Sequence, residues 1–217
     1  MKVLLLCTTH NDLYLVKALK KLGAYIIATG KVQGLPGERY VDKYVMADYS
    51  DKELILKIAR EEKIDRIVQC CNDYGVYTAC YVAEKLDLPG YDSYETICTL
   101  HDKDRFKAFC IENGIPAVPS YPFSDAQEAK KWIESAKFPL IIKPVDCSAG
   151  NGIKRVDSVK DGYLAIDNAF EMTRAGRILI ERFIEGSQHG FSTFLVGGKV
   201  VAKCSNDEYS FENPYRV

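Results

Sequence analysis

The sequence lacks a C-x-x-C pair, an excess of charge of either sign, and any apolar run long enough to cross a bilayer. With 29 basic and 30 acidic residues, it has no net field that would draw it to nucleic acid or to a membrane surface. None of its eight cysteines has metal-ligand spacing with a histidine, and most stand in apolar runs. This pattern disfavours a zinc site and indicates free, buried thiols. Residues 1–7 do not resemble a signal peptide, so we expect a cytoplasmic protein.

The glycine-rich fingerprint of dinucleotide-binding domains is also absent. The apolar run Lys2–Cys7 predicts a buried first strand, but the polar residues 8–12 follow it. Close approach of a backbone to a pyrophosphate at this point requires Gly-x-Gly-x-x-Gly. An NAD site is therefore disfavoured.

The first 92 residues alternate between buried strands and amphipathic helices. Strands are predicted at residues 2–7, 24–29, 41–47 and 64–71, and helices at residues 12–22, 50–62 and 75–86. Ser50 and Glu53 match an S-x-x-E capping box at the start of the second helix. This alternation predicts an open α/β domain with a parallel sheet, in which ligands bind beyond the carboxyl ends of the strands.

From residue 93 the pattern changes to a mixture of helices, strands and a hairpin. Helices are predicted at residues 102–112, 124–136 and 159–172, and strands at residues 138–144, 153–156 and 178–184. Asp102 and Ser124 are the predicted caps of the first two helices. Gly197-Gly198 predicts a hairpin between strands at 192–196 and 199–204.

Lys143 ends the predicted buried strand 138–144 and precedes a loop of small residues. A lysine in such a place needs a partner, and glycines in the following loop, at 150 and 152, let backbone N–H groups approach an anion. Lysine and loop together therefore favour a phosphate site. A β-hairpin with a solvent-facing lysine accounts for the same residues equally well.

Two further charged residues are candidates for a nucleotide site. Glu181 ends an apolar strand, where an acceptor side chain beside exposed backbone groups and apolar neighbours suits an adenine edge. A surface salt bridge is the competing interpretation. Lys103 opens a helix, a position that the helix dipole disfavours for a cation, although a solvated lysine is the simpler interpretation.

Taken in order, these elements resemble the ATP-grasp superfamily over essentially the whole chain. The resemblance is carried by His101-Asp102-Lys103, by the segment 138–144 (FPLIIKP), by the small-residue loop and by the segment 179–186 (LIERFIEG). The motif KPVD at residues 143–146 and the loop after it are most similar to those of the carbamoyl-phosphate-synthase-like and carboxylate–amine ligases. Biotin carboxylase is a weaker resemblance.

The resemblance implies a set of ATP contacts. Lys103 and Lys143 match the family's phosphate lysines, Glu181 its acceptor for the adenine amino group, and Gln188 or His189 its ribose-binding position, which is often a glutamate. An ordinary surface histidine explains His189 as well. The implied phosphate loop includes Ser148, Gly150, Asn151 and Gly152, and the implied adenine hinge consists of Arg182, Phe183 and Ile184.

The resemblance also implies a domain layout. A preATP-grasp domain would occupy residues 1–92, linker helices 93–115, the small lid domain 116–183, and an incomplete first hairpin of the large domain 184–217. The magnesium ligands of the family lie beyond residue 217, so we expect this chain to be inactive on its own. Whether it is truncated or naturally short stays open, and its tail does not resemble a metal site.

The implied activity is that of a Mg-ATP-dependent ligase. A small-molecule carboxylate attacks the γ-phosphate to give an acyl phosphate, and an amine or a similar nucleophile then displaces phosphate. A non-catalytic ATP-binding or regulatory module is the alternative, and a nucleotide-sugar-binding protein is a third that gives Lys143 no role. The acceptor substrates are not readable, and homodimerisation stays open.

Overall fold

The computed structural model describes residues 1–69 and 72–209. The chain divides into two compact units, Met1–Leu100 and His101–Val217. The end of the predicted strand 64–71, at Cys70 and Cys71, lies outside the described residues, as does the tail from residue 210.

The first unit is built on a four-stranded parallel sheet, as the alternating pattern predicts. Its strands, in the spatial order β3-β2-β1-β4, are β1 (Lys2–Leu6), β2 (Tyr25–Gly30), β3 (Lys43–Met46) and β4 (Arg66–Gln69). Its helices are α1 (Leu13–Lys21), α2 (Lys52–Glu62), α3 (Asp73–Leu86) and α4 (Tyr94–His101).

Both faces of this sheet are buried, which explains its continuous apolar runs. Leu4 and Ile27 belong to one core cluster, together with buried residues of α2 and α3. Val3 and Leu5 point to the opposite face and pack in a second cluster with Val16 of α1. Successive residues of one strand therefore fill two separate cores.

Two of the predicted helix caps of the chain are displaced by one residue. The cap of α2 is Asp51, whose side chain accepts a hydrogen bond from the Leu54 N–H, while Ser50 donates to Asp48 instead. The carboxylate of Asp125 likewise replaces Ser124 as the cap of the helix that starts at Ala126. A carboxylate is an acceptor at least as good as a serine hydroxyl in this position.

The second unit holds an antiparallel four-stranded sheet and a separate two-stranded hairpin. Its sheet, in the order β5-β8-β6-β7, consists of β5 (Ser120–Phe123), β6 (Leu140–Pro144), β7 (Lys154–Val156) and β8 (Ile178–Arg182). Its helices are α5 (Lys103–Glu112), α6 (Ala126–Ile133) and α7 (Val159–Met172). The sequence did not predict β5, which contains Pro122 and lies at the sheet edge, where proline is tolerated.

The hairpin is longer than the sequence predicts. It consists of β9 (Gln188–Val196) and β10 (Lys199–Glu208), with the predicted turn at Gly197-Gly198. The predicted end of the second strand at residue 204 was therefore wrong, since β10 continues through Asp207 to Glu208. Pairing with His189 and Gln188 continues the ladder to these residues, although their polar sequence has no strand pattern.

Strand alternation in the second unit separates a core face from a functional face. Ile142 and Ile180 point to the core formed with α6 and α7. Lys143 and Glu181, each one residue further along, therefore point to the opposite face of the sheet. Within residues 1–69 and 72–209, no helix combines the length and the apolar character that crossing a membrane requires.

Candidate functional site

An open cavity of about 1100 Å³ lies between the functional face of the sheet and the base of the hairpin. Its apolar lining includes Ile141, Ile153, Phe183 and Ile184, and Lys143 is its only lining lysine among the described residues. Its remaining lining residues are Glu185, Gly186, Ser187, Gln188, His189, Asp207, Glu208 and Tyr209. Apolar walls with a few polar groups at one side are typical of a small-molecule site.

A buried carboxylate lies beside this cavity, held between two lysines. Glu181 is 3% exposed, and its Oε2 accepts a hydrogen bond from Lys143 Nζ at 2.5 Å. The ammonium of Lys107 lies 3.1 Å from the other oxygen, Oε1. The register Ile141↔Glu181 between β6 and β8 brings the strand ends together and makes the first pair close. The surface salt bridge considered for Glu181 is thus a buried pair.

The Oε1 atom of Glu181 has no hydrogen-bond partner although it is buried. Lys107 is near enough for an ion pair, but the geometry of that contact is not that of a hydrogen bond. Directionality decides whether an acceptor is satisfied, so this ion pair leaves Oε1 without a hydrogen bond. A buried acceptor without a donor is uncommon, and an N–H group would satisfy it.

Lys103 reaches the small-residue loop at its base. Its Nζ donates to the carbonyl of Cys147 at 2.5 Å and, more weakly, to that of Val145 at 3.4 Å. Its backbone N–H also donates to Val145 O. Asp102 begins α5 without a side-chain capping bond, since its carboxylate accepts from Arg177 instead. The predicted cap position is right, and the predicted side-chain role is not.

The start of the loop is anchored by Asp146. Its carboxylate accepts hydrogen bonds from the Thr173 hydroxyl and from the backbone N–H groups of Arg174 and Ala175. Arg177, just before β8, donates to Asp104 at 2.6 Å, and this hydrogen bond is the main reason that the pKa of the Arg177 guanidinium is raised. These contacts hold α5, the loop base and the start of β8 together.

The loop itself forms two successive turns. Asn151 N donates to Ser148 O, and Ile153 N donates to Gly150 O. Ala149, Gly150 and Gly152 all have positive φ, which allows such tight turns. Gly152 also leaves no space for a side chain, because a Cβ there would lie 2.6 Å from the Pro144 ring.

The hairpin contributes a polar chain to the cavity. His189 Nδ1 lies 2.7 Å from Asp207 Oδ1, and its Nε2 lies 2.6 Å from the Ser187 hydroxyl. All three side chains are exposed. Since both imidazole nitrogens have partners, the ring orientation is set before any ligand is present.

The structure brings some of the predicted site residues together and leaves others apart. Lys143 contacts Glu181, and four predicted residues, Phe183, Ile184, Gln188 and His189, line the cavity with Lys143. Within the described part of the chain, the cavity lining does not include Lys103, Ser148, Gly150, Asn151, Gly152, Glu181 or Arg182, so Glu181 reaches the cavity only through its contact with Lys143.

Sequence reasoning missed Lys107 and Asp146. Lys107 stands four residues after Lys103 and therefore shares its helix face, a signal that could have identified it. Asp146 carries no comparable signal, because its partners at residues 173–175 are brought to it only by the fold.

The comparisons with known proteins identify the family. The model of the phosphoribosylglycinamide synthetase ATP-grasp (A) domain matches residues 101–210, about half of the chain. The chain belongs to this ATP-grasp family. The match covers α5, the loop, Glu181 and the hairpin, and it includes every residue that lines the cavity.

Curated relatives extend the similarity of this ATP-grasp chain to the first unit. A phosphoribosylamine–glycine ligase of Pyrococcus furiosus is 29% identical over 209 residues, which are 92% of this chain and 46% of the relative. The N-terminal section of the carbamoyl phosphate synthase large chain of Methanopyrus kandleri is 29% identical over 146 residues, 63% of this chain and 25% of the relative. The chain thus spans between a quarter and about half of the length of these relatives.

A solved structure shows the same fold. The biotin carboxylase domain dimer of Hydrogenobacter thermophilus 2-oxoglutarate carboxylase, in complex with MgADP, ADP and bicarbonate, superposes with a TM-score of 0.70 at 21% identity. The superposition covers 87% of this ATP-grasp chain and 45% of that one. At this identity the likeness establishes the fold.

Proposed function

We propose that the chain is the ATP-binding portion of a ligase that joins a carboxylate to an amine. The observation that carries the proposal is the buried acceptor Glu181 Oε1, unsatisfied beside a cavity whose one lining lysine among the described residues is Lys143. Adenine supplies the missing N–H donor, and the triphosphate supplies the anion for the lysine. Both features fit ATP.

The adenine ring fits the apolar end of the cavity. Its amino group donates to Glu181, and the backbone of Arg182–Ile184 supplies the hinge at the ring edge. Phe183 and Ile184 enclose the ring, and Arg155 lies over the outer face of the Phe183 ring at 4.5 Å from its centroid. We assign the ribose hydroxyls to His189, or to Gln188 beside it, because both residues line the cavity.

The phosphates extend toward Lys143 and the loop. The ammonium group of Lys143 moves partly away from Glu181 and neutralises phosphate charge. The backbone N–H groups of Ser148, Gly150 and Gly152 approach the phosphate oxygens from the loop. Lys103 acts from the base of the loop, where its hydrogen bond to Cys147 O holds the backbone in place. The protein contribution is positioning and charge neutralisation.

The proposed chemistry transfers two groups in succession. A carboxylate oxygen of the substrate attacks the γ-phosphorus, the bond to the bridging oxygen breaks, and ADP leaves. The amine nitrogen then attacks the acyl carbon, phosphate leaves with the electron pair of the C–O bond, and the amine loses a proton.

Magnesium would neutralise the phosphate oxygens when bound with ATP. Within the described residues, however, no three His, Cys, Asp or Glu side chains come together as a metal site. Asp207 and Glu208 line the cavity but lie next to each other on one strand, so their side chains point to opposite faces of the hairpin. The described residues do not fit a magnesium site.

The alternative function is a non-catalytic ATP-binding or regulatory module, which requires the acceptor, the lysine and the loop. Both functions predict ATP binding, and they differ in whether ADP and phosphate are released.

The remaining parts of the proposal concern the whole protein. We propose the preATP-grasp domain at residues 1–92, linker helices at 93–115, the lid domain at 116–183 and the first part of the large domain at 184–217. A cytoplasmic setting and a homodimer are compatible with this assignment.

A nucleotide panel tests the proposal directly. Thermal shift and calorimetry with ATP, ADP, GTP and a nucleotide sugar, each with and without magnesium, should show stabilisation by adenine nucleotides. The matched control is Glu181→Gln, which keeps the size of the side chain and removes its charge. No response to ATP, or an equal response to the nucleotide sugar, would rule the proposed function out.

A further inference from the structure

Glu181 has two cations within contact distance while it is almost fully buried. Lys143 contacts Oε2 and Lys107 lies beside Oε1, and the two lysine side chains are similarly exposed, at 21% and 22%. They come from different elements, β6 and α5. Lys143 also lines the cavity, whereas Lys107 is not among the lining residues described.

Lys143 therefore has two competing anionic partners once a triphosphate is present. Each step by which its ammonium moves toward phosphate weakens its contact with Glu181. A buried carboxylate that loses its counter-charge is drawn toward water. In that position it is a poorer acceptor for an amino group. The site needs a second cation that stays in place.

We propose that Lys107 is a positioning residue that holds Glu181 in place while Lys143 engages the nucleotide, and that it thereby sets the preference for a base with an amino group. This inference rests on the nucleotide-binding function proposed above. Lys107 acts through Glu181 and does not touch the ligand. Its consequence is selectivity for the base rather than affinity for phosphate.

The contacts that anchor helix α5 explain why Lys107 can stay beside Glu181. Helix α5 is fixed at its start by Lys103, which donates to Cys147 O, and by Asp104, which accepts from Arg177. Lys107 follows Lys103 by one helical turn on the same face. Its ammonium is thus carried by an element that is anchored independently of the nucleotide.

The test compares ATP with ITP, which carries a carbonyl in place of the adenine amino group. Both ligands have the same ribose and triphosphate, so the ratio of their affinities isolates the base. In the 217-residue chain we expect ATP to be preferred, and Lys107→Met to reduce the ATP/ITP affinity ratio by roughly fivefold or more. Lys107→Arg should restore much of the ratio, because it restores the charge.

The chain offers a matched control in Lys130. Its ion pair with Asp167 also joins two elements of the second unit, and its side chain is 20% exposed. Lys130→Met therefore removes a comparable lysine far from any role in the cavity, and it should leave the ATP/ITP ratio unchanged. Equal changes in both variants would show a general effect on folding and overturn the proposal.

A second pair of variants covers the case in which Lys107→Met does not fold. In Glu181→Gln there is no buried charge to hold, so adding Lys107→Met should change neither stability nor the ATP/ITP ratio. A double variant that folds where the single one fails supports the role of Lys107 toward Glu181. A double variant that also fails to fold shows that Lys107 serves the packing of α5, and it overturns the proposal.

The outcomes separate this inference from the function on which it rests. If the parent chain binds neither ATP nor ITP, the proposed nucleotide function is wrong. If the parent prefers ATP and Lys107→Met keeps the full preference, nucleotide binding stands and the role of Lys107 is wrong.

Discussion

At the scale of single residues, the site is organised around one charge that water does not reach. Glu181 is buried, and an isolated carboxylate in such a place would cost several kcal/mol. Lys143 and Lys107 offset this cost from two sides. The pair also explains why a lysine can end the buried strand β6, since the required partner is present without any ligand.

Replacing Lys143 tests its phosphate role. Lys143→Ala should weaken ATP binding about 10- to 150-fold, because a charge-assisted contact contributes about 1.5–3 kcal/mol. The free energy of unfolding should also fall, by about 1–2 kcal/mol, since Glu181 loses one of two partners and keeps Lys107. Calorimetry and chemical denaturation measure the two effects separately. Unchanged ATP affinity would leave Lys143 with a purely structural role.

The acceptor at Glu181 predicts a preference for ATP over GTP. Guanine presents a carbonyl where the adenine amino group donates, and the buried acceptor is then unmet, which costs about 1–3 kcal/mol. This corresponds to an affinity ratio of about 5- to 150-fold, measurable by competition. Equal affinity for the two nucleotides would contradict the adenine site.

At the scale of elements, the small-residue loop is anchored at both ends and free to change between them. Asp146 holds its start, and Gly152 closes its end against Pro144 without space for a side chain. Between these points, residues 148–151 are held by turn hydrogen bonds alone among the contacts described. These bonds to carbonyl oxygens can break at little cost when phosphate oxygens, which are stronger acceptors, reach the N–H groups.

Amide exchange should reveal this division. Without nucleotide, residues 148–151 should exchange faster than the paired strand β6, and ATP should slow their exchange, because phosphate oxygens would accept from the loop N–H groups. Exchange resolved to single residues by mass spectrometry measures the difference. Gly152→Ala should abolish the change, since a Cβ collides with Pro144. Loop amides that are slow from the outset, with no response to ATP, would contradict the prediction.

At the scale of the whole molecule, binding and catalysis make different demands. The second unit provides an acceptor, a lysine, a loop and apolar walls, whereas its described residues hold no metal cluster. Phosphoryl transfer depends strongly on metal charge at the transferring group. These residues can therefore hold a nucleotide more readily than they can turn it over.

We accordingly expect the 217-residue chain to bind ATP without sustained turnover. ADP release should be measured with magnesium and a panel of carboxylates and amines, and Lys143→Ala serves as the control that lacks the phosphate lysine. The two rates should be indistinguishable. Steady ADP production by the parent above that of the variant would show that a catalytic centre is present.

The hairpin should also make the chain self-associate. Its two strands form a sheet of their own, and they expose large apolar side chains, including Phe191 at 69% and Phe194 at 65%. Exposed strand edges and apolar surfaces promote pairing between copies. Sedimentation should show association that depends on concentration and decreases in Phe191→Ser/Phe194→Ser. A strictly monomeric parent at high concentration would contradict this.

Periodic patterns in the sequence determined the local structure of this protein well. The continuous apolar runs predicted the buried strands β1, β2 and β6, and the helix Val159–Met172 was predicted at its observed bounds. Apolar spacing is a local property, so it survives without knowledge of the fold. The helix caps were harder to predict, because neighbouring acceptors compete for the same N–H groups. The edge strand β5 was also harder to predict, because an edge tolerates proline.

The candidate site was predicted as a set of residues, whereas its arrangement was decided by tertiary structure. Lys143 and Glu181 were both selected from the sequence, but their contact follows from the register between β6 and β8 across 38 residues of chain. The ion pair between Lys107 and Glu181 follows in the same way from the packing of α5 on that sheet. Charge pairing depends on distance in space, and no spacing along the chain reports it.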